Sequence, residues 1–165
     1  MAKDSSFDVV CETDMQEVSN AVNNTKKALA QRYDLKDSGA TIEVDRSAAA
    51  IVIAAPSDFV ASQIRDVLDG QLVKRGVDLA SVSWGAPTDA SGGTVRVTGD
   101  IISGIDQATA KNISSEVRAG KFKVKVSIEG DKLRISGPKK DELQSVIAFL
   151  RERDWGIPLK YVNYR

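Results

Sequence analysis

The chain has 165 residues, 23 Lys+Arg against 23 Asp+Glu, 42% hydrophobic residues, one cysteine and no histidine. That length accommodates one ordinary domain or two small ones, and the apolar content suffices for a buried core, which excludes wholesale disorder. Without histidine a Ser-His-Asp or Cys-His catalyst and a His-ligated zinc, copper or haem site are excluded, and Cys11 alone forms neither an internal disulfide nor a Cys-rich metal site.

The opening Met1-Ala2-Lys3-Asp4-Ser5-Ser6 is charged and polar, unlike a signal peptide. No apolar run approaches the roughly 18 residues of a membrane span. The chain is therefore expected to be cytoplasmic, with no membrane partner. Residues 6–11 alternate with Phe7, Val9 and Cys11 apolar, which predicts a strand. Asp14, three residues before Glu17, marks a helix start, and Val18, Val22, Thr25 and Leu29 follow at helical spacing. Thr41–Asp45 and Ala50–Ala54 read as two short strands around a turn at Arg46-Ser47. After Pro56, Ser57 can cap a helix with Val60, Ile64, Val67, Leu68 and Leu72 on one face. Lys74-Arg75-Gly76 is a helix exit, and 77–84 is predicted as a closing strand.

The polar, Gly-rich stretch Thr88-Asp89-Ala90-Ser91-Gly92-Gly93 reads as a linker. Beyond it the same order returns. Residues 94–98 predict a strand, and Ser103 opens a helix carrying Ile105, Ala108, Thr109, Ile113 and Val117. Two strands, 121–128 and 132–136, meet at the turn Glu129-Gly130-Asp131. A helix after Pro138 carries Leu143, Val146, Ile147 and Leu150, and 159–164 closes as a strand. A shift of 83 residues lays Asp58, Val60, Ile64 and Val67 over Asp141, Leu143, Ile147 and Leu150. The expected fold is α+β: two tandem ferredoxin-like βαββαβ domains, 1–88 and 89–165, each a four-stranded antiparallel sheet with two helices on one face.

The balanced total conceals an uneven distribution. Residues 1–88 hold 9 Lys+Arg and 13 Asp+Glu, a net of −4; residues 89–165 hold 14 and 10, a net of +4. A basic half attracts anions. Within it, strict alternation over 121–128 sends Phe122, Val124, Val126 and Ile128 to the helices, leaving Lys121, Lys123 and Lys125 on the opposite face. Lys132 and Arg134 join them from the partner strand, with only Glu129 and Asp131 near. A cationic sheet face of this kind suits phosphate. A solvated face, or an edge strand guarded by lysines, gives the same pattern.

Nucleic-acid readers of this topology stack bases on aromatics of the central strands. Residues 50–54 and 132–136 carry none, which disfavours an ordinary RNA-recognition motif. Trp84, Tyr161 and Tyr164, on the closing strands, are candidate base-stacking residues, with core or edge packing as the alternative role for each. There is no P-loop, no G-x-G-x-x-G and no recognisable nucleophile motif. No catalytic residue, metal ligand or cofactor site is assigned.

Several segments, in order and across almost the whole chain, resemble the bacterial YajQ family. They include Ser6-Phe7-Asp8-Val9-Val10-Cys11-Glu12, Leu72-Val73-Lys74-Arg75-Gly76, Gly104-Ile105-Asp106-Gln107-Ala108 and Pro158-Leu159-x-Tyr161-x-Asn163-Tyr164-Arg165. Residues 77–100 match least. The resemblance implies tandem ferredoxin-like domains with exchanged N-terminal strands, 6–11 joining the second sheet and 94–98 the first. Moving residues 1–13 accordingly lowers the second half from +4 to +2. It also implies nucleotide binding, some members resembling cyclic di-GMP effectors that act on transcription through a partner regulator. Together with the missing histidine and the basic hairpin, this favours a non-enzymatic binder of cyclic di-GMP, a similar nucleotide or a short RNA, with a transcriptional regulator as a protein partner. The alternative is an interaction adaptor that recruits such a regulator without nucleotide.

Overall fold

A computed structural model describes residues 4–32, 35 and 37–165. In chain order its elements begin with β1 (Ser5–Val10), α1 (Met15–Gln31), β2 (Thr41–Asp45), β3 (Ala50–Ala55), α2 (Asp58–Lys74), β4 (Val82–Trp84) and β5 (Thr88–Asp89). They continue with β6 (Val95–Ile101), α3 (Gln107–Ala119), β7 (Lys125–Glu129), β8 (Lys132–Gly137), α4 (Lys140–Arg151) and β9 (Lys160–Val162). The described residues thus form an α+β fold of four α-helices and two antiparallel sheets, consistent with two ferredoxin-like domains. One compact unit is discontinuous, comprising 1–12 and 103–165; the other is continuous, 13–102.

In the continuous unit the strand order is β2-β3-β6-β4, with the two-residue β5 also paired to β6. Two well-marked helices cover this sheet. Asp14 accepts hydrogen bonds from the backbone N–H of Gln16 and Glu17 at 2.9 and 3.4 Å and so starts α1. Ser57 starts α2 through the Val60 N–H at 3.2 Å. At the far end of α2, Gly76 sits at φ +76°, and Val77 N–H returns to the Leu72 carbonyl at 2.9 Å. That is the left-handed exit glycine permits, with orphan carbonyls satisfied by the reversing chain. Val18, Val22 and Leu29 of α1 meet Ile64, Leu68 and Leu72 of α2 over Ile42, Ile51, Ile53 and Val97 of the sheet in one buried cluster.

Three expectations change here. The strand expected over 77–84 is shortened to β4, because Asp78 caps a 3₁₀ turn at Leu79–Ser81. The stretch read as a linker folds back: Thr88 and Asp89 pair with Arg96 and Val95, and Gly92 and Gly93 at φ +73° and +75° make the reversal. With β5 added, this sheet has five strands rather than four.

In the discontinuous unit the order is β7-β8-β1-β9. β1 lies between β8 and β9, with Phe7 opposite Ile135 and Val9 opposite both Leu133 and Tyr161. Phe7, Val9, Leu133 and Ile135 are fully buried, as are Ile113 and Val146 of the helices. Helix α3 starts at Gln107, capped by Asp106 through Thr109 N–H, rather than at Ser103. Gly104 at φ +87° turns the chain between the two, and a Cβ there would meet the Asp131 carboxylate at 2.8 Å. The closing strand is β9 alone, shorter than the 159–164 expected. No helix of the described residues is long and apolar enough to cross a membrane.

Candidate functional site

The basic hairpin is β7–β8, but its strands are shorter than alternation alone predicts. Lys121 adopts φ +59° just past α3, Val124 N–H bonds back to the Phe122 carbonyl at 2.9 Å, and the ladder begins only at Lys125. Lys121 and Lys123 therefore precede the strand, and the alternation that put them beside Lys125 does not reach them. Lys125, Ser127 and Glu129 stand opposite Ser136, Arg134 and Lys132 on the face away from the helices. Glu129 is thus a strand residue directly across from Lys132, not part of the turn, and its carboxylate lies 3.5 Å from Arg134 Nε.

A second acid corrects the expectation of an unneutralised face. In β1, Asp8 stands directly opposite Arg134. Its carboxylate accepts from Arg134 Nε at 3.1 Å, Lys132 Nζ at 3.4 Å and Asn163 Nδ2 at 2.8 Å, and the residue is 1% exposed. Burial opposes ionisation of Asp8, but the donors Asn163, Arg134 and Lys132 outweigh it and hold the carboxyl below its ordinary value. Two of the five hairpin cations are consumed in this way. Among the described residues Lys123 and Lys125 make no ion pair.

The three candidate aromatics are not brought together with these cations. Trp84 belongs to the continuous unit, where its ring packs over Gly99 and the Arg65 guanidinium lies 4.9 Å from its centroid. Tyr161 and Tyr164 lie in the discontinuous unit on the helix side of the sheet. Both rings have centroids 6.1 Å from that of the buried Phe7. Lys132 and Arg134 point the other way.

The discontinuous unit has a second cationic region, which strand alternation does not reveal. Between the end of α4 and β9 runs a groove of about 530 Å³, lined by Arg151, Arg153, Trp155 and Tyr161 together with apolar residues and Lys160 at its rim. Trp155 donates Nε1–H to the Leu150 carbonyl at 3.0 Å, which fixes its ring against the helix end. The Arg151 guanidinium lies 5.3 Å from the Tyr161 centroid, and that of Arg153 4.3 Å from Phe149. Burial pushes the Tyr161 phenol above its ordinary value, Arg151 acting in the opposite direction. Arg153 is paired with Glu116 at 3.0 Å; Arg151 has no ion pair among the described residues. The sequence signal was the interleaving of cations and aromatics over 151–161, but it spans a helix end and a loop. No period there tells which side chains converge.

A two-sheet α+β chain with cations gathered on one unit defines a class of anion-binding candidates. A family model described as "Nucleotide-binding protein YajQ-like" matches residues 5–165. A "Nucleotide-binding protein" of Desulfitobacterium hafniense is 42% identical over 165 residues, covering the whole of both chains. One from Carboxydothermus hydrogenoformans is 44% identical over the same full length, and one from Enterococcus faecalis 42% identical over 99% of each chain. The chain belongs to the YajQ family.

Proposed function

We propose that this chain binds nucleotides without acting on them chemically. The observation that carries the reading is full-length likeness to relatives that bear the name nucleotide-binding protein. Charge supports it: the discontinuous unit holds 14 Lys+Arg against 11 Asp+Glu, while the continuous unit carries the acidic excess. Cyclic di-GMP and short RNA are the ligands of this reading, bound in the bacterial cytoplasm, with a transcriptional regulator as the protein that senses the loaded state. On the hairpin, Lys121, Lys123 and Lys125 are available to phosphate, whereas Lys132 and Arg134 would have to release Asp8. We further propose that the sequence repeats 1–88 and 89–165 are tandem ferredoxin-like domains that exchanged their first strands. The pairing of β1 with β8 and β9, and of β6 with β3 and β4, supports this.

Calorimetry with cyclic di-GMP, GMP and a short single-stranded RNA tests the binding, at low and high salt. Saturable binding that weakens with salt is expected. A ligand at 100 times its dissociation constant would raise native stability by about 2.7 kcal/mol, visible as a higher melting temperature. A panel with no binding and no thermal shift overturns the reading and leaves the adaptor.

A further inference from the structure

The groove between α4 and β9 combines what a nucleoside phosphate requires, and we infer that it is a binding site for one nucleotide unit, with the base against Trp155 and the phosphate at Arg151. This rests on the nucleotide-binding reading above and adds the site. Its volume, about 530 Å³, falls inside the range of roughly 300–1,000 Å³ usual for small-ligand pockets. A base needs a flat apolar surface with a fixed orientation, and Trp155 is held by its hydrogen bond to Leu150. A phosphate needs a cation that is not already satisfied by a carboxylate. Arg151 meets that condition: among the described residues no carboxylate lines the groove, and its guanidinium is steadied over Tyr161 rather than by an acid. Arg153 is already tied to Glu116, and Lys160, though it borders the groove, stands opposite Val10 and so alternates with Tyr161 on the edge strand.

The negative end of α4 would repel an anion if its last carbonyls were open. They are not. The Leu150 carbonyl accepts Trp155 Nε1–H, and both the Leu150 and Ala148 carbonyls accept the Glu152 N–H. A purely structural role for Arg151, complementing that helix end, makes a different prediction: its removal would lower stability and leave ligand affinity alone.

The test uses the full chain labelled with ¹⁵N and titrated with GMP, guanosine or inorganic phosphate, with calorimetry alongside. The chain has two tryptophans, hence two indole N–H signals. GMP is expected to shift the Trp155 signal and spare that of Trp84, with guanosine and phosphate each binding at least tenfold more weakly. Arg151→Glu should weaken GMP at least tenfold, with its urea midpoint checked. Lys111→Glu, a charge reversal on α3 outside both cation regions, should leave affinity within twofold. GMP affinity unchanged in Arg151→Glu, with an unmoved Trp155 signal, overturns the site while nucleotide binding stands. Loss of binding in Lys123→Glu/Lys125→Glu, with Arg151→Glu unaffected, instead overturns it in favour of β7–β8. Absence of any nucleotide binding defeats both the site and the reading beneath it.

Discussion

The β7–β8 hairpin and the α4–β9 groove both gather cations in the same unit, yet their charges are differently employed. On the hairpin, Lys132 and Arg134 are drawn onto the buried carboxylate of Asp8, and Arg134 also lies near Glu129. In the groove, Arg151 is held over an aromatic ring and keeps its charge available. A guanidinium on a ring retains most of its attraction for an anion, whereas one satisfied by a buried carboxylate must break that pair first. Counting cations on a face therefore says little until their partners are known. Here the partner is a residue more than 120 positions away in sequence.

The contrast is broken most severely at Asp8. Asp8→Asn removes the charge that three donors share, and is expected to destabilise by about 2–3 kcal/mol in urea unfolding. The figure stays at the lower end for a buried pair because the Lys132 and Arg134 side chains, 35% and 32% exposed, can turn to water. The pH dependence has a definite sign. Asp8 has a lower pKa folded than unfolded, so its contribution is complete above the unfolded carboxylate value of about 4 and is lost as pH falls through the folded value. The gap between wild type and Asp8→Asn should therefore close as unfolding is repeated from about pH 7 to about pH 2. A gap that persists at the acid end would mean the stabilisation is packing rather than charge. With Lys132 and Arg134 released, the variant should also gain affinity for polyanions at the hairpin, whereas unchanged GMP affinity at the groove would sharpen the distinction.

The next effect separates the two tryptophans. Trp84 packs on Gly99, where a Cβ would come within 2.9 Å of the ring and 2.6 Å of Val82 Cγ1. Gly99→Ala is expected to cost about 1–3 kcal/mol by overpacking. It should leave nucleotide affinity untouched, because on this account Trp84 is a packing residue and Trp155 a binding one. A loss of GMP binding in a still-folded Gly99→Ala protein would restore Trp84 as a stacking candidate.

Much of the fold was legible because its signals are local. The caps at Asp14 and Ser57, the exit at Gly76 and the buried positions Val18, Ile64, Leu143 and Leu150 follow from spacing within one helix. The candidate site was less legible because it depends on pairing. Alternation placed Lys132 and Arg134 on the face away from the helices, but could not reveal that β1 would bring Asp8 opposite Arg134. Nor could it foresee that Lys121 at φ +59° would end the pattern early. For the tyrosines, spacing leaves base stacking and edge packing both open. The register of Tyr161 opposite Val9 and the rings of both against Phe7 place them on the helix side of the sheet, with Tyr164 still 58% exposed.

The smallest expected effect lies at Asn163, and it tests how tightly Asp8 is held. Asn163 sits at φ +56°, a conformation asparagine tolerates better than most residues, and donates to Asp8 at 2.8 Å. Asn163→Gly keeps the backbone comfortable and removes only the donor, so it is expected to cost about 1 kcal/mol. Asn163→Ala removes the same donor and adds strain from the left-handed backbone, so it should cost more. Both should raise the Asp8 pKa toward its ordinary value, shifting acid unfolding to higher pH in parallel with each other. If glycine proves harmless and alanine costly, the residue is there for its backbone, and the Asp8 cluster stands on Lys132 and Arg134 alone. If both shift the acid transition equally, the neutral donor is part of what keeps this carboxylate charged, and with it the hairpin cations engaged.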